Sequence, residues 1–306
     1  MSDSVTDLAN NLLKSYVKVG GINHVDGVNL PSKSAIADIT RDLLKLLFPG
    51  YFYDQQIHRA ELLVETTNLL ASVCGRLEDE IYKSLEHFPP EGLDRKQFRS
   101  EASATAHSFL KCLPEVREIL ATDTEAAYNG DPAALSHEEV IVAYPFIETI
   151  AVQRLSHVLY QRKIPLIPRI MTEWAHSRTG MDLHPGAKIG PYFFIDHGTG
   201  TVIGETSEIG ERVKMYQGVA LIGRSLAGGQ ALRGQRRHPA IHDRVTLYAN
   251  ATIMGGDTIV GARSTVGANV FLMHSVPSDS LVVADDVRVK VSSKLSRKVP
   301  QSDFQI

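Results

Sequence analysis

Two hydrophobic rhythms divide the chain near Met181. Before it, apolar residues recur at helical spacing: Ile36, Ile39, Leu43, Leu44, Leu46 and Leu47 mark one stripe, and Leu62, Leu63, Leu69 and Leu70 another. Pro31-Ser32 opens the first of these helices and Pro49-Gly50 closes it. Ser136 with Glu139 has capping-box spacing ahead of a helix expected to run through Arg154, and a further helix is expected from Leu166 to about His176. After Met181 the period becomes six. Aliphatic or Met residues stand at Ile189 and Ile195, at Ile203, Ile209, Met215 and Leu221, at Ile241, Leu247 and Ile253, and at Val260, Val266 and Leu272.

Six is too long for a helical face and too regular for unrelated strands. It matches one flat side of a triangular coil, three sides making a turn of about 18 residues. Glycine follows the aliphatic position at Gly190, Gly204, Gly210, Gly261 and Gly267, where it is expected to permit a tight corner. The pattern predicts an α+β chain. An all-helical domain over 1–180 is followed by a left-handed parallel β-helix of hexapeptide repeats over 181–287 and a polar, basic, flexible tail over 288–306.

The repeat breaks inside DHGTGTVIG, where two residues are added between Ile195 and Ile203. It breaks again between Leu221 and Ile241, where a Gly- and Arg-rich excursion stands. The second break reads as a surface loop and a candidate flap over a site. One extra residue at Gly255-Gly256 reads as a bulged corner.

Composition narrows the function. With 306 residues, 43% hydrophobic and 22% charged, the chain is an ordinary globular protein with room for two cores. A net charge of -3 gives no field to gather nucleic acid or an anionic membrane. Only Cys74 and Cys112 are present, both in stretches that read as helix, which leaves nothing for a disulfide framework and favours a reducing compartment. The N-terminus lacks a signal-peptide pattern and no apolar run is long enough to span a bilayer, so the expected location is the cytoplasm.

The polar content of the coil is concentrated in Asp182-Leu183-His184-Pro185, Asp196-His197-Gly198-Thr199-Gly200, Gly204-Glu205-Thr206 and Arg237-His238-Pro239. In this order the motifs resemble the serine acetyltransferase family, and the likeness continues back through Asp131-Pro132-Ala133 and the Arg154-to-His157 segment. The resemblance implies transfer of acetyl from acetyl-CoA to L-serine, giving O-acetyl-L-serine at the first committed step of cysteine biosynthesis, with L-cysteine as feedback inhibitor. It makes His197 the base and Asp182 the residue that holds its ring, a division of labour suited to deprotonating an alcohol near neutral pH. Asp131 and Asp196 would face the amino acid's ammonium. Arg237 would fork around its carboxylate with His238 beside it, and Glu205 is a further contact.

The same resemblance assigns acetyl-CoA to backbone positions at Gly223, Ala249 and Ala268, with no metal. Where many members have T-L-G-G, this chain has Ala220-Leu221-Ile222-Gly223, which puts the contact at Gly223 in question. Arg233, Arg236 or Lys290 would help with the phosphates. The family also implies a homotrimer along the coil axis, or a dimer of trimers, with each site shared by two subunits. The terminal Ile306 would insert into the cysteine synthase that consumes the product.

Three competing readings remain open on the sequence. A hexapeptide acyltransferase for another hydroxyl acceptor should lack the pair Asp131 and Arg237. A zinc carbonic anhydrase of β-helix type would use His197, His238 and His242. A non-catalytic scaffold would require loss of His197 and Asp182, both of which are present.

Overall fold

The computed structural model describes residues 4–224 and 228–284. Helices α1 (Val5–Lys18), α2 (Lys33–Leu47), α3 (Leu62–His87), α4 (Phe98–Leu110), α5 (Leu113–Gly130), α6 (His137–Ala143), α7 (Pro145–Gln161) and α8 (Ile167–Thr179) come first. The chain forms two compact units, one of residues 1–115 with 158–171, the other of 116–157 with 172–306.

In the first unit the stripe read on α2 is buried at Ile36, Ile39 and Leu43, but the second stripe is not: Leu62 and Leu63 are exposed and Leu69 and Leu70 half-buried. Helix α3 packs instead through Val73, Leu77 and Ile81, one to three turns further on, with Phe98 and Phe109 buried on α4. Ser32 caps α2 by accepting a hydrogen bond from the Ala35 amide (3.3 Å), as Pro31-Ser32 predicts. Cys74 lies in α3, whereas Cys112 falls in the short break between α4 and α5; both are free thiols.

The second unit contains the coil. Its strands are β1 (Asp182–Leu183), β2 (Lys188–Ile189), β3 (Phe194–Asp196), β4 (Val202–Ile203), β5 (Glu208–Ile209), β6 (Lys214–Tyr216), β7 (Ala220–Ile222), β8 (Ala240–Ile241), β9 (Thr246–Leu247), β10 (Thr252–Met254), β11 (Ile259–Val260), β12 (Thr265–Val266), β13 (Phe271–Leu272) and β14 (Leu281–Val282). They form three parallel sheets, β1-β4-β7-β10-β13, β2-β5-β8-β11 and β3-β6-β9-β12-β14, the three faces of a left-handed β-helix. The hexad residues stack on one another: Ile203, Leu221, Ile253 and Leu272 on the first face, Ile209, Ile241 and Val260 on the second, Met215, Leu247 and Val266 on the third. Burial of these apolar side chains inside the prism is the main stabilising term of the domain.

The glycine after each hexad acts differently from the sequence expectation. Its φ is not in the left-handed region; it lies close against the next rung, and a Cβ on Gly190 would stand 2.5 Å from the Gly210 carbonyl oxygen. After four of the five, all but Gly204, the left-handed backbone falls two residues later, at Tyr192, Arg212, Arg263 and Asn269, with φ of 56°, 57°, 60° and 58°. Glycine leaves room for the next rung at hydrogen-bonding distance, and a polar or aromatic residue turns the corner.

Two further features position the site. The helix expected from Ser136 through Arg154 is two helices, α6 and α7. Ser136 caps α6, but Tyr144, the residue before Pro145, takes an extended conformation (φ -85°, ψ 117°) because the proline ring crowds a helical one. A set of buried polar contacts then clips α5 and α7 to the coil. Arg154 donates from Nε to Asp123 Oδ2 (2.7 Å), from Nη2 to Asp123 Oδ1 (2.8 Å) and the Gly190 carbonyl (2.9 Å), and from Nη1 to the Ile189 carbonyl (3.0 Å). Gln153 Nε2 donates to the Ala187 carbonyl, His157 Nδ1 to the Pro185 carbonyl, and the Phe193 amide to Asp123.

Candidate active site

The three sheets give the prism three edges, and the sequence-predicted residues divide among them. His197 stands where β3 turns toward β4, an edge continued upward by the turns at Gln217-Gly218, Ala249-Asn250 and Ala268-Asn269 through amide-to-carbonyl bonds of 2.9 to 3.0 Å. Ala249 and Ala268 therefore share the edge of His197. Gly223 follows β7 and stands at the next edge, the other side of the β1-β4-β7-β10-β13 face.

His197 has a left-handed backbone (φ 60°), and its side chain is 70% exposed, open to a substrate proton. Its Nδ1 is 3.5 Å from Asp196 Oδ1. Asp182, expected to hold this ring, is on β1 beside Val202. Among the described residues the structure gives Asp182 no bond to His197. It gathers Asp182 with Glu173 and His176, whose ligand atoms all lie within 4.8 Å of one another. These three are a group that a cation could bridge, and nothing in the sequence pattern had joined them.

Asp131 comes to the His197 edge from the end of α5. Gly130 packs so closely on Phe194 that a Cβ would stand 2.8 Å from the ring, and its carbonyl accepts from Lys214 Nζ (2.6 Å). Lys214 Nζ also lies 3.7 Å from Asp196 Oδ2 and 4.6 Å from the Tyr216 ring centroid. The Tyr144 hydroxyl, aimed by the extended residue before Pro145, donates to Asp131 Oδ2 (2.6 Å), and the Ala133 amide donates to Oδ1 (2.8 Å). These two bonds, then the charges of Lys214 and His197, hold the Asp131 carboxyl below the usual carboxylate range. Reciprocally, the bond to Asp131 pushes the Tyr144 phenol up to about 12. Two carboxylates, Asp131 and Asp196, thus belong to the neighbourhood of His197, whereas Tyr144 and Lys214 were missed by the sequence reading. Tyr144-Pro145 was the available signal for the first; Lys214, flanking the inward Met215, carried none beyond its outward register.

Glu205, Arg237 and His238 gather at the next edge. Arg237 Nη2 is bonded to Glu205 Oε2, while Nη1 is a buried nitrogen with no hydrogen-bond partner among the described residues. Such an orphan donor is costly unless a ligand fills it. His238 is buried, its ring over Gly204, where a Cβ would come within 2.0 Å of it. Burial first, then the Arg237 charge, lower its pKa to about 4 against a smaller opposing effect of Glu205. The bulge at Gly255-Gly256 belongs to the same edge: a Cβ on Gly256 would stand 2.9 Å from the Arg236 carbonyl oxygen, and one on Gly255 3.0 Å from Arg224 Nε. The extra residue makes room for both ends of the excursion loop, so two breaks that looked separate in the sequence are one device.

The zinc trio does not converge within the chain. His197 and His238 stand at different edges, and His242, following β8, stands at the third. A groove of about 530 Å³ on the β2-β5-β8-β11 face, lined by Lys188, Glu208, His242 and Asp243 among others, contains none of the residues expected to bind serine or acetyl-CoA, and of the zinc trio only His242. Ile306 and Lys290 lie outside the described residues.

A prism of six-residue repeats with an exposed histidine on one edge and an arginine-bearing excursion on the next defines a β-helical acyltransferase of the hexapeptide-repeat class. No family model matches the chain. It is 43% identical over 272 residues to the plasmid serine acetyltransferase of Synechococcus elongatus, covering 85% of this chain and 83% of that one. Its fold is similar to Entamoeba histolytica serine acetyltransferase 1 in complex with L-cysteine (TM-score 0.69, 34% identity, 80% of this chain and 86% of that chain). It is also similar to the Brucella abortus serine acetyltransferase in complex with coenzyme A (TM-score 0.53, 25% identity, 81% and 93%). The chain belongs to the serine acetyltransferase family.

Proposed function

We propose that this chain acetylates the hydroxyl of L-serine with acetyl-CoA, releasing O-acetyl-L-serine and CoA for cysteine biosynthesis, and that L-cysteine competes at the serine site. The observation that carries the reading is the meeting of Asp131 and Asp196 beside the exposed His197: two acids for an ammonium next to a base for a hydroxyl. In this mechanism His197 takes the serine hydroxyl proton as the oxygen attacks the thioester carbonyl. A tetrahedral oxyanion forms, the carbon–sulfur bond breaks, and His197 returns the proton to the departing thiolate. In this reading Asp182 on β1 supports His197, although among the described residues the structure gives the two no bond, and acetyl-CoA runs along the edge of Ala249 and Ala268, with Gly223 beyond the face.

His197 and Arg237 are on different edges of one prism, which supports a trimer whose sites pair the His197 edge of one subunit with the Arg237 edge of the next. Association of trimers in pairs, cytoplasmic location and capture of Ile306 by a cysteine synthase complete the reading; no helix of the described residues is long and apolar enough to cross a membrane.

Thiol release from acetyl-CoA tests the substrate: L-serine should support it, with L-homoserine and a sugar acceptor far behind. Equal rates with a sugar would refute serine specificity. His197→Ala should lower turnover about a thousandfold while serine still binds. Mixing His197→Ala with Arg237→Ala chains should restore about a quarter of the sites if each is shared, and none if each is built within one subunit. Pull-down of cysteine synthase with and without Ile306 tests the partner.

A further inference from the structure

One hydroxyl holds the end of the excursion loop. Thr206 Oγ1 accepts from the Arg237 amide (2.9 Å) and from the His238 amide (3.0 Å), and lies 2.9 Å from His238 Nδ1, which also accepts from the Thr206 amide (3.1 Å). A hydroxyl oxygen has two acceptor sites and one proton. With both sites taken by backbone amides, the Thr206 proton goes to His238 Nδ1, so the imidazole is neutral and carries its hydrogen on Nε2. Gly204 completes the clasp by leaving the slot that the ring fills.

We propose that Thr206 is a positioning residue for serine recognition: by clasping the two amides and fixing the tautomer of His238, it holds the Arg237 guanidinium in register with the substrate carboxylate. The proposal rests on the reading of Arg237 as the carboxylate's partner. Thr206 touches neither substrate; it acts through Arg237.

Steady-state kinetics on the full-length enzyme test it with Thr206→Val, Thr206→Ser and Arg237→Ala in parallel. Thr206→Val leaves two part-buried amides without their acceptor and should raise the KM for L-serine roughly tenfold. The acetyl-CoA KM and kcat should stay within about twofold, and Thr206→Ser should restore the serine KM. An unchanged serine KM in Thr206→Val beside a raised one in Arg237→Ala overturns the clasp and leaves the role of Arg237 standing. An unchanged serine KM in Arg237→Ala overturns the reading beneath it. An equal loss for both co-substrates, unrescued by serine at 206, reduces Thr206 to a general structural role and overturns the proposal.

Nitrogen chemical shifts of the unaltered protein give an answer independent of whether Thr206→Val folds. The His238 resonance, identified by its loss in His238→Gln, should show an unprotonated Nδ1 and a protonated Nε2 near neutral pH. The opposite tautomer overturns the proposal.

Discussion

Two arginine–carboxylate pairs stand in the same compact unit, and their surroundings differ. Arg154 is 7% and Asp123 0% exposed, and all three guanidinium nitrogens of Arg154 have acceptors: both oxygens of Asp123 and two coil carbonyls. Arg237 and Glu205 are 22% and 23% exposed and joined through Arg237 Nη2, and Arg237 Nη1 is buried with no hydrogen-bond partner among the described residues. The first pair is complete in the free protein, so its work is to hold the helices on the coil. The second leaves a donor open among the described residues, as the carboxylate-binding role proposed for Arg237 requires. How fully an ion pair is satisfied separates structure from recognition more sharply than burial or charge does.

The comparison can be broken most directly at Arg154. Replacement by Met leaves Asp123 buried beside apolar groups, and burial already pushes that carboxyl up against the pull of Arg154. The expected cost is about 3 to 5 kcal/mol of unfolding free energy, measured by denaturant titration. A loss below about 1 kcal/mol would show that the clip is dispensable.

The next effect is a pH dependence at the second pair. The folded pKa of His238, about 4, lies below the ordinary value of 6.5, so its contribution is fully present above pH 6.5. As pH falls from 6.5 to 4 the unfolded chain binds a proton that the native ring refuses, and stability declines by on the order of 3 kcal/mol. Below about 4 the native ring protonates too and this decline ends. His238→Asn, whose side-chain oxygen can accept the Thr206 bond without titrating, should flatten that part of the profile.

Arg237→Ala should leave the denaturation midpoint close to that of the unaltered protein and raise the serine KM about thirtyfold, the cost of a charged hydrogen-bonding pair. A large stability loss with an unchanged KM would make it a second Arg154. The smallest expected effect is Tyr144→Phe. It removes the leading cause of the lowered Asp131 pKa and should raise the serine KM about fivefold near neutrality, with acetyl-CoA unaffected.

The coil was legible because its signal is local and repeated: each hexad residue reports its own face, and Ile203, Leu221, Ile253 and Leu272 stack as their spacing predicts. The same hexad count places His197, Arg237 and His242 at three different edges. What stayed hidden lies in pairs far apart in the chain. Nothing local to Asp123 distinguishes it from a solvated helical acid, yet it meets Arg154 and the Phe193 amide. The split of α6 from α7 was written in Tyr144-Pro145 but obscured by the apolar run across it. The glycines were read as turn formers because sequence records composition, whereas their cause is the nearness of the rung above.

That nearness has a consequence for the ligand. Because hydrogen bonds between rungs, such as that from the Gly190 amide to the Ile209 carbonyl, set the pitch and glycine leaves it room, the coil is a ruler graduated in single turns of about 4.8 Å. The turn of His197 and the turn of Ala268 are three graduations apart, about 14 Å. A thioester arm laid along this edge is metered by the number of turns it passes. Inserting or deleting one whole turn above His197 would leave every inward side chain on its own face while moving Ala268 by one mark relative to His197.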